Sequence, residues 1–136
     1  MNKFYKIVKV IEDRLMSQFI DIPEAMVEYK VGEWVYPKIP NSRLIVFDDL
    51  KYIRRYILTE SLIFKVSLDI ETKYRLIEGY KIFECKVEDP IRIDRLSFGN
   101  YSWMAKFWEN GQQSMINAPI GTIGAKSVKL LEEIQL

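Results

Sequence analysis

Between Ile82 and Glu88 the chain alternates without a break: Phe83, Cys85 and Val87 fall on one side, and Glu84, Lys86 and Glu88 on the other. A period of two is that of a β-strand with one face covered and the other wet, so the fold must contain a sheet with a packed side and an open side. Asp89-Pro90 ends the run. Other short stretches of β-branched and aromatic residues are punctuated in the same manner. The N-terminal segment and residues 15–20, separated by the polar Glu12-Asp13-Arg14, read as a hairpin, and residues 27–36 as a third strand bent at Gly32 and bounded by Pro37 and Pro40. Residues 44–47 form an apolar run of the kind found in buried strands, and residues 127–130 predict the last strand, ahead of Glu132-Glu133. Within residues 59–79, the stretch 62–66 is strand-like, whereas 70–77 fits a strand or a short helix.

Two segments carry helical signals instead. Asp48 is placed to cap a helix over residues 49–58, with Asp49 at its positive end and with Leu50, Ile53 and Ile57 within ~60° of one another as a core-facing stripe. Asn100 is the expected cap of a second helix over residues 101–109, stopped by Asn110-Gly111, on which Tyr101, Met104, Phe107 and Trp108 share an apolar face. The expected architecture is α+β: a small curled antiparallel sheet or open barrel of about six or seven strands with two helices outside it. At 136 residues, one domain (1–136) is expected. The first residues mix lysine with apolar side chains rather than forming a secretory signal, and the apolar runs are far shorter than the ~20 residues a membrane span needs. A soluble, cytoplasmic chain is therefore expected.

Composition narrows the chemistry. With no histidine and one cysteine, an intrachain disulfide, a Cys/His zinc site and every histidine-based triad are ruled out, and no cofactor or metal is expected. Twenty basic and nineteen acidic residues leave +1, so no nucleic-acid or membrane partner is expected, and an anion must be caught locally. Cys85 sits on the apolar side of its strand, where it reads as core rather than nucleophile. The pairs Asp48-Asp49 and Glu132-Glu133 are sequence neighbours that do not share a helix face, which makes capping and a solvated chain end their natural roles.

The combination that remains is arginine beside aromatic surface, in a chain that is 13% aromatic. Arg54 projects to the border of the buried helical stripe, where a half-buried guanidinium can hold a phosphate bidentately; Arg55 projects nearly opposite that stripe. Trp34, Tyr36 and Trp103 are candidates to stack on a flat ring, and Asn100 and Asn117 to read a base edge or a ribose hydroxyl, each with a packing or turn role as the alternative. Thr122 and Lys126 belong to the glycine-bearing segment 121–127, which either brings backbone N–H groups to a phosphate or simply turns into the last strand.

Residues 27–37, 44–50 with Arg54-Arg55, 82–90, Phe107-Trp108, 119–122 and 125–131 together resemble a family of small proteins from bacteriophages and bacterial mobile elements, and within it the first family of phage anti-Thoeris sponges. The resemblance implies a non-enzymatic homo-oligomer in the host cytoplasm that sequesters a cyclic nucleotide signal of the glycocyclic ADP-ribose type, or cyclic oligonucleotides, and so blocks host immune signalling. It implies sites near subunit contacts, with an arginine from the first helix at Arg54 or Arg55, an aromatic under the adenine, and polar residues around the ribose and pyrophosphate. Two other classes stay open on the residues alone. One is an ADP-ribosyltransferase-like enzyme using Glu84 or Glu88, and the other is a protein inhibitor acting by surface contacts.

Overall fold

The computed structural model describes residues 3–18, 22–59, 63–67, 72–76, 79–97, 100–111 and 115–135. Their order is β1 (Phe4–Ile11), β2 (Arg14–Ser17), β3 (Glu28–Tyr29), β4 (Trp34–Val35), β5 (Leu44–Phe47), α1 (Leu50–Thr59), β6 (Ile63–Ser67), β7 (Thr72–Leu76), β8 (Tyr80–Glu88), β9 (Ile91–Arg92), β10 (Arg95–Ser97), α2 (Tyr101–Asn110), β11 (Met115–Asn117), β12 (Thr122–Ala125) and β13 (Ser127–Ile134). The α+β class and the two helices are as expected. The strands are more numerous and shorter than six or seven, because turns divide runs that read as continuous. Their main sheet runs β4-β13-β8-β1-β5-β12-β9, with β2 and β3 branching from β1. Among the described residues it runs from β4 at one edge to β9 at the other without closing into a barrel. Two small hairpins, β6–β7 and β10–β11, stand beside it.

The alternation of residues 82–88 is realised in β8: Phe83 and Cys85 are buried, Val87 packs against them, and Lys86 and Glu88 are exposed. The β1–β2 hairpin turns at Glu12 and Asp13, both at positive φ, so Arg14 already belongs to the strand rather than to the break. The third strand expected over 27–36 is two strands: β3 pairs with β2, whereas β4 pairs with β13, because the chain turns at residues 31–33. The last strand runs past Leu130 to Ile134, with a register shift between Leu130 and Glu133, so Glu132-Glu133 lies within it rather than beyond it. In the ambiguous stretch the chain forms the antiparallel β6–β7 pair. Parts of the expected segments 15–20, 62–66 and 70–77, namely residues 19, 20, 62, 70, 71 and 77, lie outside the described residues.

One face of the sheet is packed by Phe4, Val8, Val27, Tyr29, Leu44, Val46, Phe83, Cys85, Ile123, Ala125, Val128 and Leu130. Among the described residues no helix side chain belongs to this cluster, which the strands build together with Val27. The opposite face is covered by α1, whose Ile53, Tyr56 and Ile57 pack on Ile7, Phe47 and Ile82. Asp49, not Asp48, caps α1: its Oδ1 accepts the Lys51 N–H at 2.9 Å, while Asp48 pairs with Arg92 at 2.9 Å. The second helix is capped as its sequence implies. Asn100 accepts from the Trp103 N–H, and Gly111, in the left-handed region, returns its N–H to Phe107 O. Met104, Ala105 and Trp108 seat α2 on Ala25 and Ile39, but Tyr101 is exposed rather than part of the packed face. No helix among the described residues is long and apolar enough to cross a membrane.

A lysine lies inside this core. Lys6 is buried on the packed side of β1, donates to Ile45 O at 2.7 Å, and stands 5.3 Å from the centre of the Tyr29 ring. Burial disfavours its charge and lowers its pKa to about 8, partly countered by Cys85, whose own thiol burial pushes up to about 12. The Lys6 pKa in the fold lies below its unfolded value of 10.5, so the native state binds fewer protons from about pH 8 to 10.5 and stability rises with pH there. Cys85 acts oppositely, losing stability as pH rises from 9.0 towards 12. Lys6 therefore adds about 1 kcal/mol between pH 8 and 9, a rise that urea titrations should detect in the wild type and find missing in Lys6→Met. Cys85→Ser should cost about 1–3 kcal/mol in the same titration at pH 7 by placing a hydroxyl on the apolar face, and should leave ligand binding unchanged.

Candidate functional site

The candidate residues do not converge on one place. Trp34 and Tyr36 lie at the β4 edge of the sheet, Arg54 and Arg55 on α1, and Asn100 and Trp103 at the start of α2. What the fold does bring together is Arg55 and Asn117. They line a surface cavity of about 290 Å³ with Tyr52, Tyr56, Ala118, Pro119 and Ile120, between α1 and the loop from β11 to β12.

Each wall has a local cause. Tyr52, Arg55 and Tyr56 stand at i, i+3 and i+4 on α1, a spacing that puts three side chains on adjoining parts of one helical surface. Tyr56 is buried and its ring tilts against Phe47 at 5.7 Å, which anchors that surface to β5. Its hydroxyl accepts from Gln18 Nε2 at 2.8 Å. The opposite wall is held by its backbone: the Ala118 N–H donates to Asp94 O at 2.9 Å, and the Thr122 N–H and hydroxyl both donate to Pro119 O. Gly121 joins the walls. It takes φ +86°, and a Cβ there would overlap the Tyr52 ring, so a residue without a side chain is required for the loop to lie against the helix.

Chemically the cavity offers a guanidinium, two phenol rings and a carboxamide on a partly apolar floor, a set able to pair with phosphate, stack on a flat ring and hydrogen-bond to a hydroxyl or base edge. Arg54, expected half-buried at the border of the stripe, is exposed and not among the lining residues; the helix presents Arg55 to the cavity instead. Leu50 is only half-buried, which shows that the covered stripe of α1 is centred on Ile53, Tyr56 and Ile57. That displacement brings Arg55 round to the flank facing the β11–β12 loop.

Thr122 is buried and spends its hydroxyl on Pro119 O, so it shapes the loop rather than facing a ligand. The idea that segment 121–127 offers backbone N–H groups to a phosphate is also corrected. Residues 122–125 form β12, which lies between β5 and β9 with ladders on both sides. Lys126 is exposed at the turn into β13, and its own N–H is given to Glu88 O. Asn100 uses its side-chain oxygen as the α2 cap, and Trp103 is exposed beside it. Trp34 and Tyr36 are exposed, with Lys129 Nζ 5.9 Å from the Trp34 ring centre and the Tyr36 hydroxyl 3.5 Å from Glu88 Oε1. Glu84 pairs with Lys3 at 3.2 Å, and Glu88 also accepts from the Ser127 hydroxyl; neither glutamate lines the cavity. No cluster of three or more potential metal-ligating His, Cys, Asp or Glu side chains is present among the described residues.

Tyr52, Tyr56, Pro119 and Ile120 are lining residues that the sequence reading did not single out. The i, i+4 tyrosines around Arg55 were visible by helical projection; the loop residues were not, since only tertiary packing sets them against α1. Comparison with family models, curated proteins and solved structures finds no match to this chain. Gly121→Ala should cost at least about 2 kcal/mol in chemical denaturation, from left-handed strain plus overlap with Tyr52. Adding Tyr52→Ala should recover the overlap part, so that the two substitutions are less than additive.

Proposed function

We propose that this chain is a non-enzymatic binding protein that takes up a cyclic nucleotide signal of the glycocyclic ADP-ribose type in the cavity between α1 and the β11–β12 loop, withholding it from a host immune effector. The observation that carries this reading is the meeting of Arg55 and Asn117, with Tyr52 and Tyr56, around one concavity. An anionic ligand with an aromatic base needs that set: a bidentate guanidinium for phosphate, a ring for the base and an amide for ribose or base edge. The composition supports binding over turnover, because a chain without histidine has lost the commonest general base, and its one thiol is buried with its pKa pushed to about 12.

The size of the cavity bears on assembly. About 290 Å³ is just below the roughly 300–1,000 Å³ typical of small-molecule sites, so the cavity of one protomer encloses only part of a cyclic dinucleotide-sized ligand. In this reading the other half meets a second protomer, and exposed Ile120 in the cavity wall, with Ile116 on β11 and Leu58 one turn beyond Arg55, supplies apolar surface for that contact. The site residues are then Arg55 for phosphate, Tyr52 for the base and Asn117 for the ribose.

Titration calorimetry with cyclic ADP-ribose signals tests this directly. Arg55→Ala should lose about 1.5–3 kcal/mol, roughly tenfold to more than a hundredfold in affinity, and Arg54→Ala should change little. Arg55→Lys should recover only part of the loss, since lysine restores charge without the planar fork. Ligand recovered after denaturation should be chemically unchanged. Converted ligand would instead establish an enzyme, and absence of binding by the wild type would remove the proposal.

A further inference from the structure

The outer face of the main sheet is only partly covered. Helix α1 packs over Ile7, Phe47, Ile82 and Ile134, and further along the same face, among the described residues, Lys86 and Glu88 of β8 and Trp34 of β4 are exposed while Lys129 of β13 is half-buried. Strand register orders that open end. Lys129 pairs with Trp34 on one side and with Lys86 on the other, and because Phe4 lies opposite Cys85, Lys3 comes to stand beside Lys86. Trp34, Lys129, Lys86 and Lys3 thus form one transverse row about 14 Å long at the usual spacing of strands. Two residues along from Trp34, and on the same side, Tyr36 places a second ring next to the row. The rings are 40% and 56% exposed, an unusual cost for large aromatics on a surface that also carries lysines.

We propose that this row binds single-stranded polynucleotide, with bases stacked on Trp34 and Tyr36 and backbone phosphates held by Lys129, Lys86 and Lys3. Of the carboxylates on the same face, Glu88 accepts from Ser127 and Tyr36, while Glu84 pairs with Lys3, which Glu132 also attracts, so a phosphate competes with these carboxylates at Lys3 and is held chiefly by Lys86 and Lys129. The flatness of the surface selects the ligand. A small molecule needs a concavity to bury it, whereas a strand gathers many shallow contacts along a line of rings and cations. A duplex hides its base faces and cannot use the rings. The contacts fall on bases and phosphates, so RNA and DNA strands are bound alike. A net charge of +1 speaks only against binding by bulk field; three ammonium groups in line act locally and are strongly screened by salt.

The test is fluorescence anisotropy of labelled dT12 and rU12 titrated with the full chain at 50 and 200 mM salt. Both strands should bind with similar affinity, and log affinity should fall with log salt at a slope of roughly −1.5 to −2, as expected for two to three phosphate contacts on a single strand. Trp34→Ala should weaken binding roughly tenfold or more, and Lys86→Gln with Lys129→Gln should flatten the salt slope. Tyr36→Ala, which lies outside any strand, decides the role of the rings should Trp34→Ala melt early. Arg55→Ala should leave strand binding unchanged, which separates this site from the cavity. No binding at 50 mM salt, a preference for duplex, or full binding by both ring variants would each overturn the proposal.

Discussion

The architecture turns on the seating of Ile53 and Ile57 of α1 against Ile7, Phe47 and Ile82. These side chains are nearly or fully buried, and truncating any one of them to alanine would cost a few kcal/mol by removing transfer energy and leaving a void. The contact does more than stabilise. A ten-residue helix is about 15 Å long, too short to roof a seven-strand path, so it divides the outer face into a covered part and an open part. The cavity lies along one flank of that helix and the aromatic–lysine row lies beyond its cover. Both surfaces are consequences of where one amphipathic helix stops.

Strand β1 supplies the other fixed point. It pairs with β8 along one edge and divides its second edge between β5 and β2, so each of its side chains is committed to one face or the other. Ile7 serves the helix-covered face, while Phe4 and Val8 serve the enclosed one. Lys6 follows the same alternation and is carried inside, where its ammonium is bonded to Ile45 O and stands near the Tyr29 ring. A lysine between two buried neighbours of the same face is tolerated because the Ile45 carbonyl and the ring offset part of the desolvation. The residue is a constraint on the core that hydropathy conceals, since lysine in a strand is ordinarily read as facing solvent.

Charge behaves in the same way. Nearly equal numbers of acids and bases say nothing about where they stand, and register decides it. Lys3, Lys86 and Lys129 are separated by more than forty residues at each step, yet the β1–β8–β13 ladders set them side by side. The acids are distributed differently, paired with Lys3, Arg14, Arg43, Lys81 and Arg92 around the molecule. Those exposed pairs contribute little to stability individually.

Features that depend on near neighbours were legible along the chain. The strand at 82–88, the stripe of α1, the Asn100 and Gly111 caps, the core role of Cys85 and the α+β class all rest on a period of two or 3.6 or on one hydrogen bond a few residues long. Tertiary structure decided what depends on distant pairing. It split residues 27–36 between two partners, moved the cap of α1 from Asp48 to Asp49 by giving Asp48 to Arg92, and put a two-sided strand at 122–125 within the segment 121–127 that read as a phosphate loop or a plain turn. It also set Arg55, and not Arg54, in the wall of the cavity. Helical projection fixes the angle between two side chains but not the rotation of the helix on its sheet, and that rotation was set by how Ile53, Tyr56 and Ile57 fill the space above Ile7, Phe47 and Ile82.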